Sequence, residues 1–148
     1  MLPANATVLV EGSTTYEWIP AEEDILDHPE KWRGFHGDRP TFVFTTRSLT
    51  TPEGADVRFV SGPVAVALPA IQAAGDGDVW VVGSGDLAGQ FLDAGALDEI
   101  ALSVAPVFLT GGAPLLPRHL ASDRLRLLSA HATGQFARLV YAVAPAVD

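Results

Sequence analysis

Residues 78–99, Asp-Val-Trp-Val-Val-Gly-Ser-Gly-Asp-Leu-Ala-Gly-Gln-Phe-Leu-Asp-Ala-Gly-Ala-Leu-Asp-Glu, constrain the fold more than any other stretch. The apolar run at 79–82 has the length and composition of a buried strand, and Gly83-Ser84-Gly85 breaks it. A helical pattern follows, with Leu87, Phe91 and Leu92 apolar and Gly95 where a C-terminal capping glycine belongs. Strand, glycine turn and helix start in succession bring backbone N–H groups and the positive end of a helix dipole to one point. An anion such as a cofactor phosphate fits there. The same turn chemistry also serves as a plain connection, so the motif alone leaves both readings open.

A chain of 148 residues fits one domain and can bury a real core. Hydrophobic residues make up 48% of it and the mean hydropathy is +0.24, which marks a globular protein. No apolar run approaches the roughly 18 residues that span a bilayer. The opening Met1-Leu2-Pro3-Ala4-Asn5 lacks a basic, then apolar, export signal, so a cytoplasmic location is expected. There are no cysteines, which excludes disulfides, thiolate nucleophiles and cysteine metal sites. His28, His36, His119 and His131 are scattered without ligand spacing, and no metal is expected. The net charge of −9 argues against nucleic acid and anionic membranes as partners. Glu22, Glu23, Asp24, Asp27 and Glu30 read as a solvated helix face rather than a catalytic pair.

Along the chain, residues 6–10 read as a strand, and a short helix capped by Ser13, Thr14 or Thr15 follows through Ile19, where Pro20 interrupts it. The acidic segment to Trp32 reads as a second short helix, and a loop carries Gly34, Gly37 and Pro40. Strands are expected at 41–46 and 56–60, with a helix from Ser61-Gly62-Pro63 to near Gly75 that contains Pro69. Residues 97–109 read as one long apolar strand, and residues 115–117 as a hydrophobic plug. Residues 124–131 and 136–143 form a closing hairpin around Thr133-Gly134. Alternating strands and helices with a terminal hairpin predict one α/β domain over residues 1–148, its sheet mixed at one edge.

Three segments, in this order, resemble the dihydrofolate reductase-like proteins. Val8-Leu9-Val10-Glu11-Gly12-Ser13-Thr14-Thr15-Tyr16-Glu17 is similar to their strand and Gly-Arg-x-Thr-Tyr/Trp-Glu motif. Phe42-Val43-Phe44-Thr45-Thr46-Arg47 looks like their second strand, and the run from Val81 to Leu92 like their glycine turn and helix. Asp98-Glu99, Ala105-Pro106-Val107 and Gly112-Ala113-Pro114-Leu115-Leu116-Pro117 resemble one branch more closely. That branch is the reductase domain of the bifunctional riboflavin-biosynthesis deaminase–reductase.

The resemblance implies a mostly parallel sheet with flanking helices that binds NADPH at the strands' C-terminal ends. It also implies hydride transfer to an aminopyrimidine or related heterocycle. Gly12, Ser13, Thr14 and Thr15 would then meet the pyrophosphate. Thr45, Thr46 and Arg47 would surround the adenosine 2′-phosphate, with Arg47 favouring NADP over NAD. Gly83, Ser84, Gly85, Asp86 and Leu87 would pass close under the pyrophosphate and nicotinamide ribose. Tyr16 and Trp18 read as core or cofactor-adjacent packing, and Asp98-Glu99 as a solvated or capping pair.

The chain departs from the pattern in three places. Ser13 stands where the family has arginine, and Ser84 where it has a second glycine. The family's opening strand, with its proton-handling carboxylate, has no counterpart, so an N-terminally incomplete domain is expected and no catalytic residue is assigned. Dihydrofolate reductase itself is the alternative enzyme, and an inactive nucleotide-binding or structural dimer partner the alternative of another class. A homodimer would cover an exposed edge at 101–109.

Overall fold

Strand β1 (Ala6–Gly12) forms the middle of a parallel sheet, with β2 (Thr41–Phe44) hydrogen-bonded on one side and β4 (Asp78–Val82) on the other. The computed structural model in which this is seen describes residues 5–83 and 85–146, the side chains of residues 20–23 excepted. β3 (Val57–Val60) pairs with β2 and completes the order β3-β2-β1-β4. A parallel sheet needs cover on both faces. The strand period of two provides it, sending Val8 and Val10 one way and Leu9 and Glu11 the other.

Two cores result. Val8, Val10 and Phe42 pack with Val64 and Ile71 of α3 (Val64–Ala73) and Phe91 of α4 (Asp86–Asp93). On the opposite face Val43 packs with Tyr16 and Ile19 of α1 (Ser13–Glu23), Ile25, and Trp32 of α2 (Pro29–His36). Val8, Leu9 and Val10 are wholly buried.

The expected strand–helix alternation is present, but several boundaries move. α1 starts directly after Gly12 and runs through Pro20 to Glu23, so the proline removes a backbone hydrogen bond without ending the helix. Glu22 and Glu23 end α1, Asp24 and Asp27 fall in the turn after it, where the φ of 50° at Asp24 breaks the helix, and Glu30 lies in the first turn of α2. α2 begins at Pro29, a residue suited to a first turn, and runs past Gly34 to His36. Trp18 is 62% exposed rather than packed in the core. Gly95 closes α4 as expected: its φ is 70°, its N–H donates to Leu92 O, and the Ala96 N–H reaches Phe91 O. Those two bonds are the Schellman pattern.

The main correction lies past residue 97. The expected long strand ends at Val104, giving β5 (Glu99–Val104), because Pro106 cannot donate to a ladder. β5 pairs antiparallel with β7 (Phe136–Val143), which pairs with β6 (Leu125–Thr133). The hairpin turns on Gly134 and Gln135, with Gly134 at φ 58°. This three-stranded sheet is separate from the parallel one: β4 and β5 each form an edge. β5 is not buried on both faces, since only Ile100 and Leu102 are half-buried along it. Val104, Leu127, Leu128 and Phe136 are exposed on the second sheet. No described helix is long and apolar enough to cross a membrane.

Candidate functional site at the strand ends

The strand order places a topological switch point between β1 and β4. From β1 the chain adds β2 and β3 on one side, then crosses to β4 on the other. Ligands of open α/β sheets bind in the crevice that such a reversal opens at the strands' carboxyl ends. Here that end of the sheet carries a cleft of about 420 Å³. It is lined by Gly12, Ser13, Thr14, Thr15, Phe44, Thr45, Thr46, Ser61, Gly62, Val82, Leu87 and Gln90.

Each wall has a local cause. β1 leads into α1 at Gly12, so the first-turn N–H groups at 13–15, which have no intrahelical acceptor, face the crevice end. Thr45 follows β2, and its N–H donates to Val60 O at 2.8 Å, which holds the hydroxyl-rich turn against β3. Gln90 ties the remaining helices together. Its Oε1 accepts the Val64 N–H at 3.3 Å, and its Nε2 donates to Asp86 Oδ2 at 2.9 Å.

No acidic side chain lines the cleft among the described residues, although the protein carries −9 overall. Its walls are hydroxyls, glycines, one amide and a few apolar side chains. At Gly12 and Gly62 an added Cβ would meet nothing within 4 Å, so the backbone there is open to close approach. These features fit the phosphates of a dinucleotide.

Of the residues anticipated from the sequence, Gly12, Ser13, Thr14, Thr15, Thr45, Thr46 and Leu87 come together in this cleft. Phe44, Ser61, Gly62, Val82 and Gln90 join them; Ser61-Gly62 could have been found as the turn after β3, at the same sheet end.

Arg47 stands outside the cleft lining. Its Nη2 and Nη1 donate to Glu17 Oε2 at 2.8 Å and Oε1 at 3.2 Å, with both side chains about half exposed. Hydrogen bonding to Glu17, then the charge of that carboxylate, raises the Arg47 pKa above its ordinary value.

Gly83, at φ 100°, belongs to a second and larger cavity, yet its added Cβ would come 3.1 Å from Thr15 Oγ1. It therefore sits where the two spaces adjoin. Ser84 lies outside the described residues. Gly85, at φ 84°, donates its N–H to Leu115 O at 2.9 Å. Asp86 turns to Gln90 and to Arg118 Nη2, at 3.0 Å, and these hydrogen bonds hold its carboxyl below the usual carboxylate range. Arg118 also holds Asp93 Oδ2 at 2.9 Å, clasping the loop after β5 to α4. Gly89 makes room for it: an added Cβ there would lie 2.7 Å from the Arg118 Cζ.

The larger cavity, about 1120 Å³, lies between the two sheets. Val79 and Val81 of β4 line one side, and Ile100 and Leu102 of β5 line another, with Tyr141, Leu116 and Arg118.

Comparison with known proteins agrees with this architecture. Residues 23–137 match the RibD C-terminal domain family. The Bacillus subtilis (strain 168) protein YwjB, uncharacterized in function, is 24% identical over 133 residues, spanning 90% of this chain and 71% of that protein. YyaP of the same organism, also uncharacterized, is 27% identical over 99 residues, covering 67% of this chain and 51% of its own length. Among solved structures, a protein provisionally assigned to riboflavin biosynthesis from Shewanella sp. PV-4 superimposes with a TM-score of 0.71 at 20% identity. The match covers 93% of this chain and 74% of that one. Acinetobacter baumannii RibD gives 0.63 at 16% identity, with 93% of this chain matched to 47% of that one. With the match covering most of its length and the fold agreeing, the chain belongs to the RibD C-terminal domain family, with its dihydrofolate reductase-like α/β architecture.

Proposed function

We propose that the chain is an NADPH-dependent reductase of the riboflavin-biosynthesis type, similar to 5-amino-6-(5-phosphoribosylamino)uracil reductase and acting on an aminopyrimidine or related heterocycle. The observation that carries this reading is the switch-point cleft, free of carboxylates in an acidic protein and bordered by the start of α1. Family membership supports the reductase assignment.

NADPH, when bound, supplies the hydride. This chain's part is to hold and orient. The N–H groups of residues 13–15 and the hydroxyls of Ser13, Thr14 and Thr15 would bind the pyrophosphate. Thr45, Thr46 and Arg47 would take the 2′-phosphate. Gly83 would let the nicotinamide end approach the larger cavity, where the heterocycle would bind. No residue is assigned to proton transfer.

A second reading, nucleotide binding without turnover, draws on one observation: β4 and β5 share no ladder, so the larger cavity lies between two unpaired sheet edges. Turnover with an aminopyrimidine substrate separates the two.

The test of the cofactor assignment is calorimetric titration with NADPH and NADH. A charge-assisted contact from Arg47 gives NADPH a roughly ten- to hundredfold advantage. Arg47→Ala removes most of it and leaves NADH affinity nearly unchanged. Equal affinity for both cofactors in the unmutated protein contradicts the assignment.

A further inference from the structure

Glu17 has no role in the reading above, yet its position gives it one. It lies one turn after Ser13 on α1, the helix whose first residues line the cleft, and it carries the only described acceptor on the Arg47 guanidinium. Thr45 and Thr46, which precede Arg47, face the cleft, while Arg47 is drawn to α1 by a two-point ion pair. The turn between them is fixed, since the Arg47 N–H donates to Thr45 Oγ1 at 3.1 Å.

Resting on the cofactor reading, we propose that Glu17 is a specificity-determining residue that competes with the cofactor's 2′-phosphate for Arg47. A carboxylate and a phosphate offer the guanidinium the same pair of oxygen acceptors, so the two compete for its paired N–H donors. Glu17 also places a negative charge beside the position the phosphate would take, and that repulsion weakens with salt. A cofactor lacking the 2′-phosphate leaves the Glu17–Arg47 pair intact and pays nothing for it. Glu17 therefore narrows the preference that Arg47 creates, and it does so only for the phosphorylated cofactor. The pair is half exposed, so either side chain can swing away without unfolding the helix.

The experiment is titration of the full chain with NADPH and with NADH, using Glu17→Gln, Arg47→Ala and the double variant, at low and high salt. Glu17→Gln is expected to tighten NADPH about two- to fivefold, the range set by an exposed ion pair, and to change NADH by less than about twofold. The gain should shrink at high salt and vanish in the double variant, where Arg47 is absent. If Glu17→Gln leaves NADPH affinity unchanged or weakens it while Arg47→Ala still abolishes the preference, the competition is refuted and the cofactor reading stands. If the unmutated protein binds NADPH and NADH equally, both fall. A gain that persists in the double variant refutes competition for Arg47.

Discussion

Glu11 and His36 are wholly buried, and His36 Nε2 lies 2.8 Å from Glu11 Oε1. Trp32 stacks on the His36 ring at 3.5 Å between centroids and 2° between planes. Glu11 Oε2, His36 Nδ1 and Thr41 Oγ1 have no protein partner among the described residues. A buried polar pair of this kind is costly to break and cheap to replace whole. His36→Phe, which strands Glu11, should therefore cost about 3–5 kcal/mol in denaturant unfolding. Adding Glu11→Leu to it should recover much of that loss. A single variant as stable as the double one would show that the pair is not coupled. Tyr16, beside them, donates to Thr50 O at 2.5 Å. Burial, and secondarily the charge of Glu11, push its phenol from 10.0 up to about 12. The folded protein thus keeps this phenol neutral to a higher pH than the unfolded chain does. The stability it contributes is complete below about pH 10 and lost between pH 10 and 12. Tyr16→Phe should remove a late phenolate from the ultraviolet titration; loss of an ordinary one instead would contradict the assignment.

At the scale of elements, the glycine turn separates binding from stability. Gly83 and Gly85 hold φ values of 100° and 84°, which a β-branched residue resists. Gly83→Val and Gly85→Val should abolish NADPH binding, measured by titration alongside circular dichroism. Gly75 is the control, and its role is larger than ending α3: an added Cβ would lie 2.5 Å from Thr7 Oγ1 and 2.9 Å from Val8 Cγ2. Gly75→Ala should cost about 1–3 kcal/mol of overpacking and leave binding intact. Normal folding and binding in both turn variants would remove the turn from the site. Most of these elements were legible because their signals are local: the valine run of β4, the Gly95 cap, the Thr133-Gly134 hairpin. Pro20 and Gly34 misled because tertiary packing carries α1 and α2 through residues that local propensity would stop at. The cleft's hydroxyl walls could be read from the motif order. The Arg47–Glu17 pair could not, because it joins residues thirty positions apart.

For the whole molecule, the lesson is the division into two sheets. The sequence shows apolar runs, and apolar runs do not say which strands pair, so a single sheet was expected where β4 and β5 end as separate edges. Unpaired edges expose backbone donors and acceptors along both sides of the larger cavity. β4 and β5, of five and six residues, set the length of a strand that would bridge them.

In the proposed reading the cofactor lies at the β1/β4 switch point, and amide chemical-shift mapping during an NADPH titration reads that placement residue by residue. The largest shifts are expected at Gly12, Ser13, Thr14, Thr15, Thr45, Thr46, Arg47 and Gly62, with the β6–β7 turn at Gly134 unmoved. Shifts confined to the antiparallel sheet, or none at saturating NADPH, would contradict it.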